Sequence, residues 1–413
     1  MEKNEKNVRP IHELSQDLLE WLRSQSYGAD SLNKHRQLAN KIRKFMVANG
    51  ISKYTTAVGD AFFENYCFKR DVCNHHKKRI KMIVYRLNDC IAGKMPGLRR
   101  ITHVGGDPLT DQFAAIFEKY IGWCEIHGSK ASTIREKSKH CGDFLRHLAN
   151  LGCTTINNMT PEQIYSACLV FNNKNAWSHV RMLLRYLCEN CYVSRDYSSL
   201  VPHYRRPFVM PSVYTEEEII RMEAVIDRTS KTGIRDYAMV LLAARYGLRA
   251  GDIVKLSFQN LDFERCNIRL IQEKTGQLWE AEMFPDVKNA LLHYINNVRI
   301  HTDSETVFLR RRAPFCGISI SSLSDAVNRY FIMAGINPDG RKRGSHALRS
   351  SLASSMVNNN VPYEVVRKVL GHADPNAIKH YAKIDVERLR EYAIPVPKPT
   401  GIFACFLNGE VTI

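Results

Sequence analysis

The sequence predicts a mainly α-helical chain with one small antiparallel β-sheet, and three observations carry that expectation. Apolar residues recur at helical spacing through most of the chain, as in Leu38, Ile42, Phe45 and Met46 or Ile80, Ile83, Val84 and Leu87. Helix start and stop signals bracket several of these runs: Thr215-Glu216-Glu217-Glu218 reads as a capping box, and Gly247 and Gly371 end apolar helices. One segment, residues 266–283, alternates with period two on either side of Lys274-Thr275-Gly276 and reads as strand, turn and strand. At 413 residues the chain is long enough for two or three domains, and its 44% apolar content suffices for their cores.

The formal net charge is +17 and the pI is near 9.3, so a polyanionic partner is favoured. No apolar run reaches the roughly 18 residues that a membrane-spanning helix needs. The first residues, Met1-Glu2-Lys3-Asn4-Glu5-Lys6, lack the apolar core of a secretion signal. The twelve cysteines follow no disulfide rhythm, which suits a reducing cytoplasm. Cys188 and Cys191, and the group Cys67, Cys73, His75 and His76, read as thiols and solvated histidines rather than metal ligands. No Walker-type loop or two-metal carboxylate cluster stands out, so neither metal nor cofactor is expected.

Taken in order, residues 1–92 read as an N-terminal helical domain and 93–108 as a Gly/Pro-containing linker. Residues 109–195 read as a second helical domain. Shifted by 102, the first segment falls on the second, with Ile42 on Phe144, Met46 on Leu148, Gly50 on Gly152, Arg79 on Arg181 and Met82 on Leu184. Either a duplication or two unrelated bundles with one apolar period would produce that match. Residues 196–213, with Pro202, Pro207, Pro211, Arg205 and Arg206, form a basic extended linker. A third domain, residues 214–393, holds the hairpin and further helices near 285–299 and 321–334. Residues 394–413 are a tail with the apolar run Ile402-Phe403-Ala404-Cys405-Phe406-Leu407.

The richest chemistry lies between His346 and Tyr381. His346 and Arg349 share one face of a helix that starts near Ser345. Val365, Val366, Val369 and Leu370 form the buried stripe of a second helix, which Gly371 caps, leaving His372 on the turn. Asp374-Pro375 opens a third helix carrying Tyr381, nine residues after His372. Upstream, Arg249 follows the helix that ends at Gly247, and Lys274 sits at the hairpin tip.

This set resembles the catalytic domain of the tyrosine recombinases, the phage-integrase family. Their pattern is an early Arg, a hairpin Lys, His-x-x-Arg, Leu-Gly-His and a Tyr nine residues after that His. The resemblance implies a C-shaped clamp on double-stranded DNA and a strand-breaking and rejoining enzyme without cofactor. It implies Tyr381 as nucleophile, Arg249 and Arg349 on the phosphate, Lys274 as the acid for the leaving oxygen, and His346 and His372 completing the pocket. It also implies a homo-oligomer on DNA, with a dimer per site and a tetrameric synapse, serving a mobile genetic element. The second helical domain is similar to the family's core-binding domain, making Lys130, Arg135, Lys137, Lys139, Lys174, Arg181, Arg185, Arg205 and Arg206 candidate phosphate contacts. An extra N-terminal domain binds secondary DNA sites in some relatives, which leaves residues 1–92 as a possible DNA-binding domain. The tail docks on a neighbouring protomer in the family; packing in cis is the alternative. A type IB-like topoisomerase and an inactive DNA-binding accessory protein are the rival functions. One departure is Asp252, where relatives often carry Glu three residues after the first Arg.

Overall fold

The computed structural model describes residues 8–68, 72–96, 109–171, 174–204, 211–371 and 400–407. The chain forms two compact units, Met1–Leu14 with Lys41–Phe208 and Ser15–Asn40 with Val209–Ile413.

The N-terminal half is helical. Helices α1 (Ile11–Ser24), α2 (Ala29–Ala48), α3 (Thr56–Phe68) and α4 (Asn74–Ile91) are followed by α5 (Asp111–Ile126), α6 (Ala131–Asn150), α7 (Pro161–Leu169) and α8 (Ala176–Glu189). Apolar residues of α5 to α8 make one core that includes Phe113, Tyr120, Phe144, Leu148, Ile164, Val180 and Leu184. Helix α7 starts on a complete capping box between Thr160 and Gln163, with Pro161 in the first turn, where its missing N–H costs nothing.

The two halves of this helical region repeat their local structure. Helices α2 and α6 are both 20 residues long and start 102 positions apart. The turns before and after them match at the same shift. Ser26 (φ 60°) corresponds to Gly128 (φ 72°), and Gly50 (φ 66°) to Gly152 (φ 82°). The closing hydrogen bonds match too: Tyr27 N donates to Leu22 O as Ser129 N does to Cys124 O, and Ile51 N donates to Met46 O as Cys153 N does to Leu148 O. A shared apolar period does not require the same left-handed caps, so a duplication accounts for them better. In α4 and α8 the register differs from the sequence alignment. Buried Ile80, Ile83, Val84 and Leu87 correspond to buried Val180, Leu183, Leu184 and Leu187, a shift of 100. The pairing of Arg79 with Arg181 is therefore two residues out of this buried register, although α4 and α8 start 102 positions apart.

The second unit contains α9 (Glu216–Ala224), α10 (Lys231–Tyr246), α11 (Ala250–Val254), α12 (Pro285–Asn297), α13 (Ile320–Met333), α14 (Ser345–Asn358) and α15 (Tyr363–Leu370). Helix α10 is buried on nearly every face and contacts α9, α12, α13 and α14. Met239, Leu241 and Leu242 are fully enclosed there, each contributing about 1.5–3 kcal/mol of burial free energy. Asp236, also on α10, is 1% exposed and takes hydrogen bonds from Arg235, Arg329 and Tyr330 at 2.7–3.0 Å, which ties α10 to α13. The capping box at Thr215 and Glu218 forms as the sequence predicts, and Arg341 grips the same Glu218 with two bonds of 2.9 Å.

The sheet has three antiparallel strands in the order β1 (Leu261–Asp262), β2 (Asn267–Ile271) and β3 (Leu278–Glu282). The alternating segment supplies β2 and β3, paired from Asn267 with Glu282 to Ile271 with Leu278; β1 is an addition that its two-residue length hid. Ile268, Leu270 and Gln272 point to the buried side, as period two requires. Near the chain end, Gly401–Leu407 is helical. Among the described residues, no helix is long and apolar enough to cross a membrane.

Candidate active site

Three separate segments bring a cluster of cationic and imidazole groups to one pocket. Arg249 immediately precedes α11, just after Gly247 ends α10 in the left-handed conformation (φ 61°). Lys274 is exposed at the β2–β3 turn, His346 lies in the first turn of α14, and Arg349 follows one turn later. All four line a pocket of about 330 Å³ with Leu248, Ala250, Gly251, Ile320, Ser324 and Ser345.

Arg349 is 2% exposed, yet it lines the pocket. Its Nη1 donates to Gly247 O at 2.6 Å and its Nη2 to Leu370 O at 2.7 Å. Both acceptors are carbonyls at helix ends, where the backbone lacks internal partners and the helix dipole is negative. The guanidinium therefore satisfies two orphan carbonyls while its orientation is fixed. Arg249 is half-buried, and its Nη1 donates to Gln272 Oε1 at 2.6 Å.

Asp252 does not hydrogen-bond Arg249, although it is close enough for the charges to interact. Its Oδ1 accepts from Glu273 N at 2.8 Å, and its buried Oδ2 has no hydrogen-bond partner among the described residues. Burial pushes the Asp252 carboxyl above its ordinary range, against the pull of the Glu273 N–H, Arg249 and Arg349. The shorter side chain thus supports the hairpin backbone beside Lys274, and Arg249 donates its hydrogen bond to Gln272 instead.

His346 is open to solvent at its edge, but desolvation of the ring still holds its pKa below the ordinary value. Arg349, Lys274, Arg249 and Lys342 push it further down. The geometry favours the cations as the firmer cause, since the side chain is exposed. A neutral imidazole among cations is suited to accepting or relaying a proton.

Gln272 is the residue that motif reading missed. It is 0% exposed. The signal was available in part, because period two puts position 272 on the inner face with Ile268 and Leu270. A buried amide there needs partners, and those come from elsewhere in the chain. Trp279 makes a parallel tie, donating from Nε1 to Val369 O at 2.7 Å. The hairpin is thereby attached to the C-terminal end of α15, which closes on Gly371 (φ 61°) as the sequence predicts. His372 and Tyr381 lie outside the described residues.

The candidate contacts of the second helical region differ among themselves. Lys130, Arg135 and Lys139 are exposed. Lys174 lies over the Trp177 ring at 4.6 Å. Arg181 donates to Val201 O at 3.2 Å and Pro202 O at 3.1 Å, and Arg185 Nε to Ser198 Oγ at 3.4 Å. Lys137 is 4% exposed, with its ammonium on Ser129 Oγ at 3.1 Å and Cys124 Sγ at 3.4 Å. It faces the bundle interior and is not a surface cation, because helix position 137 falls on the apolar side of α6. Arg205 and Arg206 lie outside the described residues.

Comparison with known proteins identifies the family of the chain. The family model described as "Phage integrase family" matches residues 212–388. A Sinorhizobium fredii protein named as an integrase/recombinase, y4gC, is 32% identical over 46% of this chain and 97% of its own length. The chain belongs to the phage-integrase, or tyrosine recombinase, family. A second integrase/recombinase by name from the same organism, y4rA, is 30% identical over 62% of each chain, so the match spans less than two thirds of that relative. The tyrosine recombinase XerD of Haemophilus ducreyi is 25% identical over 52% of this chain and 71% of its own. Among solved structures, the XerH site-specific recombinase bound to its difH substrate shares the fold, with a TM-score of 0.51 at 14% identity over 80% of this chain and 94% of that one. The mainly helical fold with a small antiparallel sheet is thus that of tyrosine recombinases. Arg249, Lys274, His346 and Arg349 all fall within the family match.

Proposed function

We propose that this chain is a site-specific DNA recombinase or integrase that cuts and rejoins duplex DNA through a 3′-phosphotyrosine on Tyr381, for a mobile genetic element. The observation that carries the reading is the convergence of Arg249, Lys274, His346 and Arg349 on one pocket of the second unit. Gathering two arginines, a lysine and a histidine in one place has an electrostatic cost, since like charges repel. A phosphate offsets that repulsion.

In this reading Arg249 and Arg349 hold the non-bridging oxygens and stabilise the charge that grows on them in the pentacoordinate transition state. The Tyr381 oxygen attacks phosphorus as the bond to the 5′ oxygen breaks. Lys274 delivers a proton to that 5′ oxygen, and His346 or His372 manages the proton of the phenol. Ionising an ordinary phenol at pH 7 costs about 4 kcal/mol, which the cationic pocket offsets in large part. The phosphotyrosine bond keeps the energy of the phosphodiester, so rejoining by a 5′ hydroxyl requires no ATP. The limits 1–92, 109–195 and 214–393 serve as N-terminal, core-binding and catalytic domains. Lys130, Arg135 and Lys139 are exposed cations suited to DNA phosphates. The active species is an oligomer on DNA, with the tail docking between protomers, in the cytoplasm.

A nicked suicide substrate tests the reading. The wild-type chain should form a covalent protein–DNA adduct, and Tyr381→Phe should abolish it while binding stays within about twofold, since only a hydroxyl is lost. An adduct that survives Tyr381→Phe would remove Tyr381 as the nucleophile. Two sites of one sequence joined by the wild-type chain separate a recombinase from a topoisomerase.

A further inference from the structure

The buried side chain of Gln272 connects several of the segments that carry the pocket's cations. Its Oε1 accepts from Arg249 Nη1 at 2.6 Å and from Thr275 Oγ1 at 3.0 Å. Its Nε2 donates to Leu370 O at 3.3 Å, the same carbonyl that takes Arg349 Nη2 at 2.7 Å. Its main chain also shapes the hairpin turn, since Gln272 N donates to Gln277 O at 2.9 Å and Gly276 N donates to Gln272 O at 2.8 Å.

The space for this amide comes from Gly371. A Cβ on Gly371 would lie 2.4 Å from Gln272 Nε2 and 2.5 Å from Oε1. Burial alone would favour an apolar residue at this strand position, because a buried amide costs free energy unless it is bonded. Each of its bonds reaches a different part of the pocket: the first arginine, the residue beside Lys274, and the carbonyl shared with the second arginine.

We propose that Gln272 is a positioning residue that fixes the Lys274 turn relative to Arg249. The guanidinium then grips the phosphate at the distance where the ammonium meets the departing 5′ oxygen. This rests on the reading of the site as a DNA-cleaving pocket. Thr275 is the hairpin-side end of the link, and Arg249 the phosphate side.

The test uses the full-length chain and a nicked duplex bearing its cleavage site, mapped beforehand by sequencing covalently trapped DNA. Two substrates are compared, one ordinary and one with sulfur in place of the bridging 5′ oxygen at the cut. A thiol is far more acidic than an alcohol, so the sulfur group leaves without a proton from Lys274. Lys274→Ala is the reference: slow on oxygen, restored on sulfur. On oxygen, Thr275→Val should cleave about tenfold slower for one lost hydrogen bond, and Gln272→Met on the order of 100-fold slower. On sulfur, Thr275→Val should return to within about threefold of wild-type, and Gln272→Met should recover in part, because Arg249 has also lost its support. A merely structural role would slow both substrates alike. Wild-type rates on oxygen, or equal losses on both substrates, overturn the proposal. If Gln272→Met fails to fold by circular dichroism, Thr275→Val decides alone. A wild-type chain that forms no adduct on either substrate overturns the DNA-cleaving reading and this inference with it, whereas a wild-type adduct with unaffected variants overturns this inference only.

Discussion

Replacing Gly371 by alanine perturbs the pocket without touching any motif side chain. Two costs add there. The residue has φ 61°, and an L side chain in the left-handed region costs about 1–2 kcal/mol. The new Cβ would also meet the Gln272 amide at 2.4 Å, so that amide must move and give up part of its bonding to Arg249, Thr275 and Leu370. A neutral hydrogen bond contributes about 1 kcal/mol and one to a charged group about 1.5–3, so the second cost is about 2–4 kcal/mol. Gly335 provides the control. It follows the C-terminal end of α13 at φ 63°, but a Cβ there meets nothing within 4 Å. Gly335→Ala should therefore cost only the backbone strain. For a unit of this size each kcal/mol lowers the melting temperature by about 2–4 °C. Calorimetry of both variants should place Gly371→Ala about 5–15 °C below Gly335→Ala. Equal melting temperatures would show that Gln272 is not wedged beneath Gly371, and the coupling drawn from it would fail.

Two further outcomes follow from the geometry. The folded pKa of His346 is lowered, so between that value and the ordinary 6.5 the unfolded chain binds more protons, and stability falls as pH drops through this window. His346→Gln should flatten the difference in unfolding free energy between pH 7.5 and 5, and its imidazole should titrate below 6.5 by NMR; a midpoint above 6.5 contradicts the crowding by Arg349, Lys274 and Arg249. Among the lysines of α6, Lys139→Ala should reduce the salt slope of DNA binding by about one phosphate contact, whereas Lys137→Met should leave it unchanged and be neutral or stabilising. A lost slope with Lys137→Met would mean that its ammonium leaves Ser129 and Cys124 to reach DNA.

Local signals placed the elements well. Thr215 and Glu218 form their capping box, Gly247 and Gly371 end α10 and α15, and the alternation after Cys266 becomes β2 and β3. Each depends on residues within a few positions of one another, and such short-range preferences can be read along the chain. Spacing also nominated Arg249, Lys274, His346 and Arg349, and all four line one pocket.

What the order of residues fixed unaided was therefore the helices, the hairpin and the charged groups that a family motif names. Position 137 falls on the apolar side of α6 and position 139 does not, but the partners that hold the Lys137 ammonium, Cys124 and Ser129, were a tertiary matter. The partners of Gln272 were another, since Arg249 and Leu370 lie 23 and 98 residues away from it. An amide's partners are set by where distant backbone ends meet, and no period or cap along the sequence encodes that meeting.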